Sequence, residues 1–381
     1  MSDSKSVTCT APVNIAVVKY WGKRDEKLIL PLNASLGLTM DMNDLCATTT
    51  VQASPSFTED CLWLNDCKEP ISKRFKACLE KAKSVARKHL TGDEANAAIL
   101  DWHVHVCSRN NFPTAAGLAS SAAGYACLGY SFAQLYGVQD EVSVIARLGS
   151  GSACRSTAGG FVLWTMGERE DGDDSVAVEV SPASAWPDLE VLILVVNDRR
   201  KDTSSTAGMQ TSVQTSQLLK HRAAVLVPDL LRGMEEAIHN KDFATFADLT
   251  MKDSNQFHAV CLDTYPPIFY LNDTSRRIIQ MVTKVNAACG EAKVAYTFDA
   301  GPNAVLFVRS KDVEQIAALC DYLFVSGKQS DNLDQALVDQ LSLTAEANSV
   351  RNIIRTKAGP GPRRLPDEKG LLDSNGLPLP V

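Results

Sequence analysis

Asn111-Phe112-Pro113-Thr114-Ala115-Ala116-Gly117-Leu118-Ala119-Ser120-Ser121-Ala122-Ala123-Gly124 is the stretch that decides how the rest of the chain reads. It follows a strand-like run at 102–107. It leads into small and apolar residues at helical spacing over 120–135, which Gly137 is placed to stop. Side chains this small let backbone amides approach an anion, and the unpaired amides of a helix start add partial positive charge. Phosphate is the natural ligand. No Lys-Ser/Thr pair follows the glycines, so this is not a Walker loop, and the spacing is not that of a dinucleotide fingerprint. A tightly packed strand-to-helix turn with Ser120 as its N-cap is the competing reading of the same residues.

Upstream, residues 7–18 alternate loosely as a strand and deliver a polar, aromatic and basic cluster, Lys19-Tyr20-Trp21-Gly22-Lys23-Arg24. Strand patterns follow at 35–40, 47–53 and 61–65, and a charged helix is predicted over 71–89. Downstream, a helix over 141–148 runs into a second small, polar turn, Gly149-Ser150-Gly151-Ser152-Ala153-Cys154-Arg155-Ser156. Strand patterns return at 160–166 and 175–180. Beyond Trp186-Pro187 the unbroken apolarity of 189–196 reads as a strand buried on both faces.

The second half predicts helices over 208–225, 228–240, 243–260 and 272–289. Strands at 293–298 and 304–309 follow, joined by Asp299-Ala300-Gly301-Pro302-Asn303. A helix over 313–324, the segment 352–357 and a tail rich in Gly and Pro complete the chain. At roughly 150 residues per domain, 381 residues give an α+β chain of two lobes, 1–187 with the phosphate-binding loop and 188–381.

Hydrophobic residues at 45% and charged residues at 22% exclude general disorder and fibrous repeats. With 38 Lys and Arg against 45 Asp and Glu, the formal charge of -7 is unpromising for nucleic acid, so an anionic ligand needs a local cationic pocket. No run of about 18 apolar residues exists to span a membrane. The polar start MSDSKSVTCTAP lacks the core of a secretory signal, and a soluble, cytoplasmic protein is expected. Eleven scattered cysteines without a CxxC pair are expected to be free thiols. His103 and His105 share a strand face but lack a third ligand, which favours a solvated or hydrogen-bonded face over zinc.

Three further groups invite chemistry. Arg155 carries a planar guanidinium suited to a carboxylate or phosphate, or to a salt bridge. The loop Lys201-Asp202-Thr203-Ser204-Ser205-Thr206-Ala207-Gly208 either completes an anion cage or serves as a linker and cap. Asp299 stands where a hydrophobic strand breaks, as a general base aimed into a cleft or as an Asx turn.

Together these pieces carry a family resemblance. Pro-x-x-x-Gly-Leu-x-Ser-Ser over 113–121 resembles the phosphate loop of the GHMP small-molecule kinases, the group of galactokinase, homoserine kinase, mevalonate kinase and phosphomevalonate kinase. Within that superfamily, five further segments resemble the mevalonate diphosphate decarboxylases: Ala11-Pro12-Val13-Asn14-Ile15-Ala16, the 19–24 cluster, Gly151 through Ser156, Met251-Lys252-Asp253-Ser254-Asn255-Gln256-Phe257-His258, and Tyr296-Thr297-Phe298-Asp299-Ala300-Gly301-Pro302-Asn303. The likeness covers nearly the whole chain.

The resemblance implies a two-lobed GHMP-kinase-like fold with its active site in the cleft, and homodimers. It implies ATP-dependent conversion of mevalonate 5-diphosphate to isopentenyl diphosphate in isoprenoid and sterol precursor synthesis, with Mg2+ and without nucleic-acid or membrane partners. Asp299, Arg155, Ser121 and Lys23 would be catalytic. Asp299 would lie beside the tertiary hydroxyl of the substrate and Arg155 on its carboxylate, with Asn14 orienting either the substrate or Arg155. Lys19, Tyr20, Trp21, Gly22, Lys23, Arg74, Ser150, Gly151, Ser152, Ala153 and Cys154 would complete the substrate site. Asn110, Pro113, Ala116, Gly117, Leu118, Ala119, Ser120 and Ser121 would contact ATP, Ser121 also magnesium, with Lys201, Ser205 and Thr206 closing over the phosphates. A kinase of this group that keeps the phosphate on its product, and a silent metabolite-binding homologue, are the alternatives.

Overall fold

The first ordered segment divides at Val13 into two strands, Lys5–Pro12 and Asn14–Val18, where the sequence pattern predicts one. Pro12 has no N–H to donate, so the ladder ends there and the chain passes from one sheet into another. The protein is described as a computed structural model over residues 4–89, 97–112, 120–196 and 202–380.

The first sheet runs Arg363–Leu365, Lys5–Pro12, Cys46–Ser54, His103–Asn110, Cys61–Leu64, Cys67–Glu69. The helices Lys73–His89 and Ser120–Tyr136 cover one face through Phe75 and Phe132, packed with Val51 and Val106. The second sheet runs Ala177–Ser181, Phe161–Trp164, Ser35–Thr39, Asn14–Val18. Small residues in Ser120–Tyr136 have a packing use besides any phosphate role. A side chain on Gly129 would meet Ala146 at 3.0 Å, so the helix Val142–Gly149 lies close against it. Gly137 leaves that helix at φ +72°, as expected of a stop.

The third sheet, in the order Val294–Phe298, Ala304–Arg309, Leu189–Val195, Asn352–Lys357, carries the second half. Leu189–Val195 has a partner on each side, and its alternate residues enter two different cores, Val191 and Ile193 one, Leu192 and Leu194 the other. This is the physical basis of its continuous apolarity. The expected helix over 208–225 is Ser205–Thr215 followed by Gln217–His221, divided at Ser216, whose hydroxyl accepts from the Leu219 N–H at 3.0 Å. One π-helical turn, Arg222–Leu226, joins Gln217–His221 to Val227–Asn240. Helices Phe243–Asp263 and Asp273–Cys289 follow, the second opened by an Asn272–Ser275 capping box. No described helix is long and apolar enough to cross a membrane.

The tail holds a strand that its Gly and Pro content hides. Arg363–Leu365 pairs antiparallel with Lys5–Pro12, Thr8 opposite Leu365 and Thr10 opposite Arg363. Just before it, Met40 bridges Ala358, the Gly359 N–H donates to Thr39 O at 2.9 Å and the Gly160 N–H to Gly359 O at 3.0 Å. A Cβ on Gly359 would lie 2.6 Å from Asp41 Cα, so only glycine admits this approach.

Candidate active site

The strand Asn14–Val18 ends by delivering Lys19 between the two halves of the chain. The Lys19 side chain is buried, and its Nζ donates to Asp299 Oδ1 at 2.5 Å and to Ala16 O at 2.8 Å. Asp299 follows directly on Val294–Phe298 and is about a third exposed, so its carboxylate reaches solvent on one side and the buried ammonium on the other.

Arg155 lies on the 3₁₀ segment Gly151–Thr157 and is also buried. Its Nε donates to Asn14 Oδ1 at 3.0 Å and its Nη1 to Ser35 Oγ at 2.6 Å, while Asn14 Nδ2 donates to Thr39 Oγ1 at 3.0 Å. Gly37 makes room for this chain of contacts, because a Cβ there would stand 2.1 Å from Asn14 Oδ1 and 3.0 Å from Arg155 Nε. Burial lowers the pKa of the guanidinium and the charge of Asp299 opposes the shift, so Arg155 stays cationic. No carboxylate forms a salt bridge with it among the described residues. The result is a buried cation within electrostatic reach of Asp299, held by neutral acceptors and electrostatically fit for an anion.

The rest of the 19–24 cluster divides between lining and anchoring. The Tyr20 hydroxyl is buried without a hydrogen-bond partner among the described residues, and burial pushes its pKa upward. A side chain on Gly151 would meet Trp164 at 2.8 Å and the Tyr20 hydroxyl at 3.1 Å. Trp21 is an anchor: its indole N–H donates to Ser212 Oγ at 2.9 Å, and its ring meets Phe257 edge-on at 4.8 Å. Gly22 turns at φ +89°, where a Cβ would strike Leu32 at 2.7 Å. Lys23 Nζ pairs with Glu26 Oε2 at 2.6 Å. Ser150 Oγ and Ser152 Oγ are 3.4 Å apart, whereas Ala153 and Cys154 are fully buried beneath the turn.

Of the residues expected to contact nucleotide, Pro113, Ala116, Gly117, Leu118, Ala119 and Lys201 lie outside the described residues. Ser120 opens the helix Ser120–Tyr136, Ser121 is exposed in its first turn, and that turn holds no acidic residue. An exposed hydroxyl beside helix amides, with no carboxylate to repel phosphate, fits a magnesium nucleotide. Asn110 ends the strand His103–Asn110, its N–H on Asn65 Oδ1 at 3.0 Å. Ser205 and Thr206 open the helix Ser205–Thr215, and Arg74 Nη2 donates to Thr206 Oγ1 at 3.0 Å. No group of three or more His, Cys, Asp or Glu able to hold a metal occurs among the described residues.

Several residues of this region carry no role in the sequence reading: the polar Ser35, Thr39, Asn33, Arg222, Asp253 and His258, and Gly37. Asp253 and His258 fall within the 251–258 segment of the family resemblance, and Asp253 has a further local signal in its helix face. In Phe243–Asp263, Phe246, Thr250, Asp253 and Phe257 recur at helical spacing on the buried side, where an aspartate is out of place without a partner. His258 is buried there too, and burial with the nearby Lys19 charge pushes its pKa down to about 4, so the imidazole is neutral.

Residues 11–177 match the diphosphomevalonate decarboxylase-like N-terminal domain, and residues 191–365 match the mevalonate 5-diphosphate decarboxylase C-terminal domain. The chain belongs to the diphosphomevalonate decarboxylase family. Within this decarboxylase family, the Bos taurus diphosphomevalonate decarboxylase is 54% identical over 98% of this chain and 98% of its own. A crystal structure of mevalonate 5-diphosphate decarboxylase superposes with a TM-score of 0.87 at 45% identity, covering 97% of this chain and 99% of that one. A further relative, solved in complex with MVAPP, AMPPCP and magnesium, has a TM-score of 0.77 at 31% identity over 95% of this chain and 99% of that one. Such similarity to decarboxylases extends through the tail as well as both halves.

Proposed function

We propose that this chain catalyses the ATP-dependent decarboxylation of mevalonate 5-diphosphate to isopentenyl diphosphate, the precursor of isoprenoids and sterols. The observation that carries the reading is the pairing of a partly exposed Asp299 with buried Lys19, together with a buried Arg155 that forms no salt bridge among the described residues. Asp299 accepts or orients the proton of the tertiary hydroxyl as that oxygen takes the γ-phosphoryl group of ATP. Arg155 holds the substrate carboxylate through donors not engaged by Asn14 and Ser35. When phosphate then departs with the C–O electron pair, the bond to the carboxylate breaks, carbon dioxide leaves and its electron pair becomes the alkene. The negative Asp299 favours the positive character of that carbon. Magnesium, when bound with the nucleotide, neutralises phosphate charge during transfer.

The reading is tested by incubating the purified protein with mevalonate 5-diphosphate, ATP and magnesium. Equal amounts of ADP and carbon dioxide are expected; ADP without carbon dioxide would make it a kinase that retains its product. Ser121→Ala is expected to slow phosphoryl transfer by about tenfold or more with substrate affinity nearly unchanged, because the hydroxyl acts on the nucleotide side. Steady-state kinetics beside a substrate titration check this, and parent-like turnover would leave Ser121 a helix-start residue only. The family resemblance also supports a cytoplasmic homodimer. Sedimentation equilibrium is expected to give twice the chain mass, and fractionation a soluble cytoplasmic protein; a monomer or an organellar pool would refute the respective statement.

A further inference from the structure

Lys19 and Asp299 are separated by 280 positions in sequence, yet their charged atoms meet at 2.5 Å. A lysine side chain has four flexible bonds, so its own packing does not fix such a distance. The main chain of Lys19 is gripped instead. Its N–H donates to Asp253 Oδ2 at 2.8 Å, and its carbonyl accepts from Asn33 Nδ2 at 3.1 Å and from Arg222 Nη2 at 3.3 Å. Arg222 Nη2 also donates to Asp253 Oδ1 at 2.5 Å, and its Nη1 to Gln256 Oε1 at 2.8 Å. Asp253 and Arg222 are both almost wholly buried.

The next two residues of the same helix hold the other partner. Ser254 Oγ accepts from the N–H of Phe298, immediately before Asp299, at 3.1 Å. Asn255 Oδ1 accepts from the hydroxyl of Tyr296, on the same strand, at 3.0 Å. A single helical turn therefore carries contacts to both halves of the Lys19–Asp299 pair, and Arg222 enters from the π-helical turn Arg222–Leu226, a form of helix that recurs at functional sites.

We propose that the turn Asp253–Ser254–Asn255–Gln256, braced by Arg222, is a positioning device that sets the spacing of Lys19 and Asp299. A buried ion pair is a poor stabiliser, since desolvation consumes most of its Coulombic gain and apolar residues of similar volume do as well. What apolar residues cannot do is define where a peptide N–H and C=O must lie. Catalysis tolerates little error there, because a misplacement of about 1 Å reduces rates about 10²-fold.

The inference rests on the decarboxylase reading, which the parent protein tests by itself through its equal yield of ADP and carbon dioxide. Against that parent, Asp253→Asn is expected to lower kcat about 10²-fold and Ser254→Ala about tenfold, the KM for ATP staying within about twofold. In a Lys19→Met background Asp253→Asn is expected to change the residual kcat by less than about twofold, since the clamp then has no ammonium to aim. Equal losses in the two backgrounds, or parent-like kcat in Asp253→Asn, would overturn the proposal. Asp253→Asn leaves the Arg222 charge without its partner, so Arg222→Met combined with Asp253→Leu supplies a neutral version of the site. It is expected to melt within about 5 °C of the parent with kcat again down about 10²-fold. Parent-like kcat in that double variant, or failure of both versions to fold, would assign the pair to stability and end the positioning role.

Discussion

Asp299→Asn is expected to fold normally, bind substrate and ATP with modest change, and lose turnover by ~10² to 10⁴-fold, the range for removal of a general acid or base. Both halves of the proposed reaction take place at the one carbon that Asp299 would face. Its carboxylate can take or orient the hydroxyl proton, and its charge favours the cationic character left as phosphate departs. Asparagine matches it in size and offers neither. The structure adds a second reason: the amide presents no charge to Lys19 Nζ, which the carboxylate holds at 2.5 Å. The measurement is carbon dioxide release alongside ADP formation in a variant whose melting curve matches the parent. Activity within about tenfold would make Asp299 a turn residue, and continued ADP formation without carbon dioxide would restrict it to the elimination step.

Arg155→Gln is expected to weaken capture of the substrate carboxylate by about 1.5–3 kcal/mol, roughly 10- to 150-fold, with ATP affinity nearly intact. The geometry makes this a minimum. The guanidinium also donates to Asn14 and Ser35, so a shorter neutral side chain leaves buried Asn14 Oδ1 and Ser35 Oγ without that donor. Titrations with mevalonate 5-diphosphate and with ATP separate the outcomes. Loss of ATP binding while substrate binding survives would place this arginine on the wrong ligand.

Much of the molecule is legible locally. Small residues mark the helix Ser120–Tyr136, Gly137 stops it, and unbroken apolarity marks Leu189–Val195 as a strand packed on both faces. These are signals in which neighbours in sequence are neighbours in space. The tail strand Arg363–Leu365 is three residues long among prolines and glycines, and its pairing is with a strand at the other end of the chain. The site divides the same way. Asp299 and Arg155 stand out by residue type and by the turns that carry them. Asn14 meets Arg155 across 141 positions and Asp253 meets Lys19 across 234, so neither contact has a local spacing that pattern reading detects. Trp21 shows the converse: an aromatic in a cationic cluster invites a ligand, while the fold gives its indole N–H to Ser212.

The return of the tail bears on how this molecule can move. The polypeptide leaves its first half near Trp186-Pro187 and re-enters it at Ala358, where Met40, Thr39 and Gly160 receive it before Arg363–Leu365 joins the first sheet. Two seams at separate places resist what a single flexible joint permits. A swing of one half away from the other would have to shear the backbone bonds at Gly359 and strip a strand from a sheet. The backbone contacts of Gly359 and the pairing of Arg363–Leu365 thus constrain the two halves at a second place besides the Trp186-Pro187 crossing.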